Sequence, residues 1–240
     1  DDEDFLAGLA AAVGYLRERM APVLVHGGGK EIARLQTALG IEPRFLEGLR
    51  VTDEASLQVA EMVLSGLVNK RLVGRLVGAG IPAVGLSGVD GGLLRVRRFE
   101  HPAGDLGWVG EVTGADPLLL QLLLDRNLVP VVSPISLGPQ GRSYNVNADE
   151  AARALAVALG AASLAFVTNV PGVLVGGRVV ARLTAAEAQA WIARGTIAGG
   201  MVPKVRAALD VVAAGIDEVR IVDLEGLRLG GGTRVVREGN

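Results

Sequence analysis

A chain of 240 residues, half of them hydrophobic, can bury one large core or two smaller ones, which excludes a disordered segment. Charged residues make up 21% and leave a formal net charge of -2, so there is no basic field to neutralise a nucleic-acid backbone. The absence of cysteine excludes disulfides, thiolate metal sites and a thiol nucleophile. It fits a reducing, cytoplasmic setting, and two histidines, His26 and His101, are too few for a multi-histidine metal centre.

The start, Asp1 Asp2 Glu3 Asp4, is acidic where a secretory leader is basic. A chain opening on Asp without Met is expected to be processed or to lack an N-terminal piece. Residues 4–20 carry Phe5, Leu6, Leu9, Val13 and Leu16 at helical spacing. Pro22 and the buried-strand run Val23–Val25 follow, and His26–Gly29 leads into a helix through Ile32, Leu35 and Leu39 that stops at Gly40. One or two long helices are expected from Thr52, capped by Thr52 or Asp53, to Gly78. Residues 83–86 form a short strand and 93–112 a hairpin. A helix over 116–127 leads to a strand over 128–132, then to a strand over 144–146 and a helix from Ala148. The uncharged run between Arg153 and Arg178 could span a bilayer on length alone. Gly160, Asn169, Pro171 and Gly172 break it into helix end, strand and loop. Strands over 164–167, 218–222 and 233–236, with helices over 185–193 and 205–214, complete the pattern. Alternating helices and strands predict an α/β fold with a mainly parallel sheet, and a lobe boundary near Gly160. Its 34 glycines, about twice the usual ~7% share, cluster at strand ends, where open α/β sheets bind ligands.

Four constellations carry possible chemistry. In His26 Gly27 Gly28 Gly29 Lys30, side-chain-free residues between strand and helix offer amides to an anion. Neither P-loop nor dinucleotide spacing is present, and a tight turn for close packing explains the glycines equally. A lone strand-end histidine such as His26 is more often structural than an acid or base. Arg50, in Gly48–Thr52, can hold a carboxylate bidentately or be a surface arginine near a cap. Asn145, Asn147 and Asp149 would share one side of an extended segment; a capping box of Asn147 with Glu150 is the alternative. Gly199–Lys204 opens a helix with Pro203 in its first turn. Lys204 there opposes the helix dipole unless an anion lies nearby, or it is simply solvated.

In this order the constellations resemble the amino acid kinase superfamily and, within it, the N-acetylglutamate kinases. VLVHGGGKEI, GLRVTDEA, LVNKRLVGRL, AVGLSGVDGG, GWVGEV, LVPVVSPI, YNVNADEAA, TNVPGVL and GGMVPKV carry the resemblance over nearly the whole chain. It implies a three-layer αβα sandwich with an open, mainly parallel central sheet. Residues 1–160 would form an N-terminal lobe for the acyl amino acid and for dimerisation, and 161–240 a C-terminal lobe for ATP. The reaction implied is transfer of the γ-phosphoryl group of MgATP to the side-chain carboxylate of N-acetyl-L-glutamate, on the path to arginine. Gly28 and Gly29 would bind substrate through their amides. Arg50 would hold its α-carboxylate, and Asn145 the α-carboxylate or acetamido end. Lys204 would neutralise the transferring phosphoryl group and Asp149 would orient the catalytic lysines. Asn169, Val170, Pro171, Gly172, Val173 and Leu174, with Thr196, Ile197 and Ala198, would form the nucleotide site. Mg2+ would ride on the ATP phosphates without a protein ligand.

The sequence departs from the family in three places. A strand ending in a lysine and a Gly-Gly loop should open it, and nothing before Asp4 matches, so that strand is expected to be missing from this sequence. Asn169 stands where many members have Asp, which leaves hydrogen bonding rather than charge. The short end around Gly230–Thr233 lacks the signature of arginine-inhibited members, implying an arginine-insensitive homodimer. Rival readings are a kinase for carrier-linked or N-acetyl α-aminoadipate in lysine biosynthesis, and a non-catalytic amino-acid or nucleotide sensor.

Overall fold

The computed structural model describes residues 3–237. It divides into two compact units, residues 21–155 and the segment from Ala156 grouped with the residues up to Met20. The sequence reading draws its boundary at 160 and keeps the first helix with the N-terminal lobe; the compact units divide inside a helix and group the first helix with the C-terminal segment. That helix, α1 (Glu3–Arg17), buries Leu6, Ala10, Ala12 and Val13. A Cβ placed at Gly8 would lie 3.3 Å from Leu224 Cδ1, so its apolar stripe meets a late helix rather than its neighbours in sequence.

In the unit of residues 21–155 the elements run β1 (Leu24–Val25), α2 (Gly29–Ala38), β2 (Phe45–Leu46), β3 (Leu49–Arg50) and α3 (Glu54–Glu61). A π-helical segment, Met62–Val68, joins α3 to α4 (Asn69–Gly78). Then come β4 (Ala83–Gly88), β5 (Leu94–Arg98), β6 (Gly110–Ala115), α5 (Leu118–Leu124), β7 (Val129–Leu137), β8 (Ser143–Asn145) and α6 (Ala148–Leu159). Six of the strands form one sheet around β7. β1, β4 and β5 lie parallel to β7, while β6 and β8 are antiparallel additions. Eight of the nine residues of β7 are buried, the continuous apolar run expected of a strand covered on both faces. The sequence reading places this strand over 128–132; the structure extends it to Leu137, although proline is disfavoured in a central strand. The β4 register slips between Ser87 and Gly88, pairing them with Ser133 and Ser136, and Pro134 falls in that irregularity, while Pro130 keeps regular register with Val84.

The other unit carries β9 (Ser163–Val167), β10 (Leu174–Val175), β11 (Arg178–Val179), β12 (Arg182–Thr184), α7 (Ala185–Ala193), α8 (Met201–Ala213), β13 (Glu218–Val222), α9 (Leu224–Leu229) and β14 (Thr233–Val236). Its four-stranded sheet has the order β12-β14-β13-β9. Val205, Ala208, Val211 and Val212 of α8 pack with Phe166, Val219, Ile221 and Val235 in one core. α7 begins in a capping box between Thr184 and Glu187. The short elements that sequence periodicity does not resolve are β2, β3, β10, β11, β12 and α9. Among the described residues no helix is long and apolar enough to cross a membrane.

Candidate functional site

The glycine turn closes β1 and starts α2. Gly28 is the N-cap, with no side-chain cap, and its carbonyl accepts the Ile32 N–H at 3.0 Å. The amides at the head of α2 therefore lack a covering side chain, the arrangement that attracts an anion. Packing crowds a side chain at Gly28 alone: a Cβ there would stand 2.8 Å from Leu64 Cδ2 and 3.3 Å from Val68 Cγ2 in the π-helical segment, whereas one at Gly29 would meet nothing within 4 Å. One at Gly27 would stand 3.7 Å from the Cβ of Ala148, the first residue of α6. Two helix N-termini thus adjoin at this turn.

Arg50 reaches the same turn. The β2–β3 hairpin that carries it reverses through Glu47 and Gly48, both at positive φ (49° and 83°), the two-residue turn whose twist suits a hairpin. One guanidinium nitrogen donates to the Gly29 carbonyl at 3.1 Å and the other to Gln36 Oε1 at 2.5 Å. The Phe45 ring lies 4.8 Å from its carbon. Partial burial lowers the Arg50 pKa from its ordinary value, because the charge has lost water and both acceptors are neutral.

Asn145 joins this group through Thr52. Its Nδ2 donates to Thr52 Oγ1 at 3.4 Å, and the Thr52 hydroxyl in turn donates to the Arg50 carbonyl at 3.3 Å. Thr52 is wholly buried. Asn147 caps α6, accepting the Asp149 and Glu150 N–H groups at 2.8 and 3.3 Å. Of the expected capping box only this half forms, since the Glu150 carboxylate accepts the Val112 N–H at 2.8 Å instead; burial pushes its pKa up. Asp149 lies in the first turn of α6 and is half-buried. The extended alternation that would align it with Asn145 and Asn147 ends where the helix starts.

His26 is a structural residue. With Nδ1 facing the Gly27 carbonyl at 3.0 Å, that nitrogen carries the proton and Nε2 accepts from Asn69 Nδ2 at 3.1 Å. Asn69 is wholly buried and also donates to the Val131 carbonyl at 2.8 Å. A Cβ at Gly85 would lie only 1.9 Å from Asn69 Oδ1, so that glycine in β4 makes room for the amide.

The remaining expected residues lie in the other unit. Asn169–Leu174 follows β9. Val173 is buried and donates its N–H to Thr233 Oγ1 at 2.8 Å. Gly172 adjoins the same threonine, where a Cβ would approach Thr233 Oγ1 to 2.8 Å. Thr196–Ala198 leads into α8, with Ile197 buried in the core cluster that also holds Val173 and Val205. Asn169, Pro171, Leu174, Thr196 and Ala198 are exposed around these anchors. α8 begins at Met201 rather than at the expected 205, so Lys204 is its fourth residue, and Pro203 stays in the first turn, where no intrahelical N–H is lost. Lys204 is half-buried. Among the described residues no group of three or more His, Asp or Glu side chains is placed to hold a metal.

Gln36 and Asn69 escape the sequence reading, and Thr52, read there only as a candidate cap, gives that role to Asp53. The available signal was the spacing of Ile32 and Gln36, which puts an amide on the apolar face of α2.

The model of the amino acid kinase family matches residues 1–223. The chain belongs to the amino acid kinase family. It is 56% identical to the acetylglutamate kinase of Roseiflexus sp. (strain RS-1) over 99% of this chain and 90% of that protein. Among solved structures it superposes on N-acetylglutamate synthase from Neisseria gonorrhoeae, in complex with coenzyme A and N-acetyl-glutamate, at a TM-score of 0.85 and 28% identity, covering 99% of this chain and 57% of that one. The carbamate kinase of Giardia shares the fold at a TM-score of 0.69 and 18% identity, over 97% of this chain and 90% of that one. The amino acid kinase fold expected from the sequence is the fold this chain adopts.

Proposed function

We infer that this amino acid kinase transfers the γ-phosphoryl group of ATP to the side-chain carboxylate of N-acetyl-L-glutamate, a step of arginine biosynthesis. One observation carries the choice of acceptor: Arg50 is a half-buried guanidinium held by neutral acceptors beside an uncapped helix N-terminus, a place prepared for a carboxylate-bearing ligand. The 56% identity to an acetylglutamate kinase supports the same acceptor. In this reading Arg50 holds the α-carboxylate, Asn145 the same group or the acetamide, and the Gly28 and Gly29 amides the reacting end. A side-chain carboxylate oxygen attacks the γ-phosphorus, the bond to the bridging oxygen breaks, and ADP leaves with the electron pair. The products are an acyl phosphate and ADP, and no proton transfer is needed.

Such a reaction asks for alignment and for cations near the equatorial oxygens rather than for a protein nucleophile. Lys204 is assigned the charge-neutralising role and Asp149 the orienting one. Asn169–Leu174 and Thr196–Ala198 receive ATP through backbone groups. Mg2+ carried by the nucleotide would supply further positive charge at the ATP phosphates; no protein ligand is assigned to it. We assign the enzyme to the cytoplasm as a homodimer. The lack of cysteine supports the first, and the exposed apolar side chains Met62, Leu67, Leu118 and Leu122 support a second copy.

Turnover of N-acetyl-L-glutamate against N-acetyl-L-α-aminoadipate tests the acceptor, with preference for the shorter acid expected; equal or better use of the longer acid would overturn it. Arg50→Ala should raise KM for the acyl substrate by roughly 10- to 100-fold, the scale of a lost charged hydrogen-bonding pair. An effect confined to ATP would remove Arg50 from the acceptor site.

A further inference from the structure

We propose that Gln36 is a positioning residue that holds the Arg50 guanidinium with a neutral acceptor, so that its charge stays available to the incoming carboxylate; this rests on the assignment of Arg50 to the acceptor site.

Gln36 is wholly buried on α2. An amide in that position is costly unless both ends are paired, and both are. Its Oε1 accepts from Arg50 at 2.5 Å, and its Nε2 donates to Ser56 Oγ at 2.9 Å. The orientation of the amide is forced, because a guanidinium has no acceptor and must meet oxygen. Ser56 is itself buried and fixed at the start of α3, where its N–H donates to Asp53 Oδ1 at 2.9 Å. Asp53 caps that helix, and hydrogen bonds from Ser56, with the side chain as the larger influence, hold its carboxyl below its ordinary value. The chain therefore runs in one direction, from Arg50 to Gln36 to Ser56 to the Asp53 carboxylate.

Two features of this chain bear on the acceptor. First, α2 and α3 are bridged by side chains that end on Arg50, so the guanidinium is aimed at the Gly29 carbonyl before any ligand arrives, which lowers the ordering cost of binding. Second, the negative charge in the chain stands two neutral groups away from the guanidinium. A carboxylate at position 36 would hold Arg50 at least as firmly but would also neutralise it, in competition with the substrate. Glutamine holds the cation without competing for it.

The test compares Gln36→Glu, Gln36→Met and Ser56→Ala in the full chain. It uses steady-state kinetics for both substrates, calorimetric titration of N-acetyl-L-glutamate in the absence of ATP, and thermal unfolding. Gln36→Met should raise KM and Kd for the acyl substrate about 10-fold through loss of a hydrogen bond to a charged group. kcat and KM for ATP should stay within about twofold. Gln36→Glu should raise the same constants further, about 100-fold, because a buried ion pair must be broken for substrate to bind, while its thermal midpoint falls no further than that of Gln36→Met. Ser56→Ala, which removes only the anchor of the amide, should raise them by about threefold. The proposal is overturned if Gln36→Glu binds the acyl substrate as well as Gln36→Met does, or if any of the variants shifts KM for ATP as much as KM for the acyl substrate. Should a position-36 variant fail to fold, Ser56→Ala decides by the same split. If Arg50→Ala leaves acyl binding unchanged, the underlying assignment of Arg50 fails; if Arg50→Ala weakens it and the Gln36 variants do not, only the role of Gln36 does.

Discussion

The residues proposed to hold the acceptor and the segments proposed to hold ATP are built in different ways. Around Arg50, side chains hold side chains: Gln36, Ser56, Thr52 and Asn145 form a network with fixed donor and acceptor directions. In Asn169–Leu174 and Thr196–Ala198 the anchors are apolar, Val173 at 1% and Ile197 at 3% exposure, and most of the flanking residues face solvent. A hydrogen-bonded network discriminates, because a ligand that mismatches it leaves buried polar groups unpaired. The other two segments are anchored by buried apolar side chains and, at Val173, by a backbone bond to Thr233, with no comparable side-chain network described around them. The difference matches the two ligands proposed, a small acid to be told from its homologues and a nucleotide whose phosphates accept from any well-placed N–H.

The sharpest way to break this comparison is at Lys204. If the unit that carries α8 supplies charge stabilisation rather than recognition, Lys204→Ala should lower kcat by roughly 100-fold or more, the scale for losing a preorganised charge stabiliser, with KM for the acyl substrate little changed. Single-turnover measurement of acyl phosphate formation checks it. An unchanged kcat would remove Lys204 from the chemistry and leave that unit with a binding role alone.

A smaller effect is expected at the glycine turn. Gly28→Ala places a methyl group 2.8 Å from Leu64 Cδ2; the leucine terminus can rotate, so the turn should shift by a fraction of an ångström rather than unfold. KM for the acyl substrate should rise about 5- to 10-fold, the range in which positioning errors are felt at a packed site, with KM for ATP unmoved. A rise in both constants would show that the two sides are not separable in the way their construction suggests.

The same contrast explains what the sequence revealed. The glycine turn, Arg50, Asn145 and the Lys204 helix stand out as short runs of unusual residue types, each with a structural explanation beside the functional one. Strands such as 218–222 and 233–236 are legible from apolar character alone. What joins them is not. Gln36 meets Arg50 from 14 residues away and Ser56 from 20, and a pairing over that distance leaves no local pattern beyond an amide on an apolar face. The β2–β3 hairpin did leave a trace, Glu47–Gly48 between Phe45–Leu46 and Leu49–Arg50, too short for periodicity to register. Strand β7 runs on beyond the expected 132 to Leu137, through a second proline that falls where the register of its neighbour slips.

The smallest effect concerns His26, which borders the acceptor side yet is held for structure. Burial keeps its pKa below the ordinary 6.5, only partly offset by the Gly27 carbonyl, so just below that pH the unfolded chain binds more protons than the folded one. Stability should therefore fall as pH drops through 6.5 toward the lowered folded value, by up to ~1.4 kcal/mol per pH unit, and be fully present above 6.5. Glu150 works the other way: burial raises its pKa from an ordinary 4.5, so between those values the folded carboxyl keeps its proton better and stability gains as pH falls. Comparison with His26→Gln separates the two. Urea unfolding at pH 7.5 should show the variant less stable because the bond to Asn69 is disturbed, and at pH 5.5 the gap should narrow as the native histidine starts to exert its own penalty. A gap that stays constant across that interval would mean that His26 is not held neutral in the fold, and that the turn it precedes tolerates a charge the present geometry has no acceptor to receive.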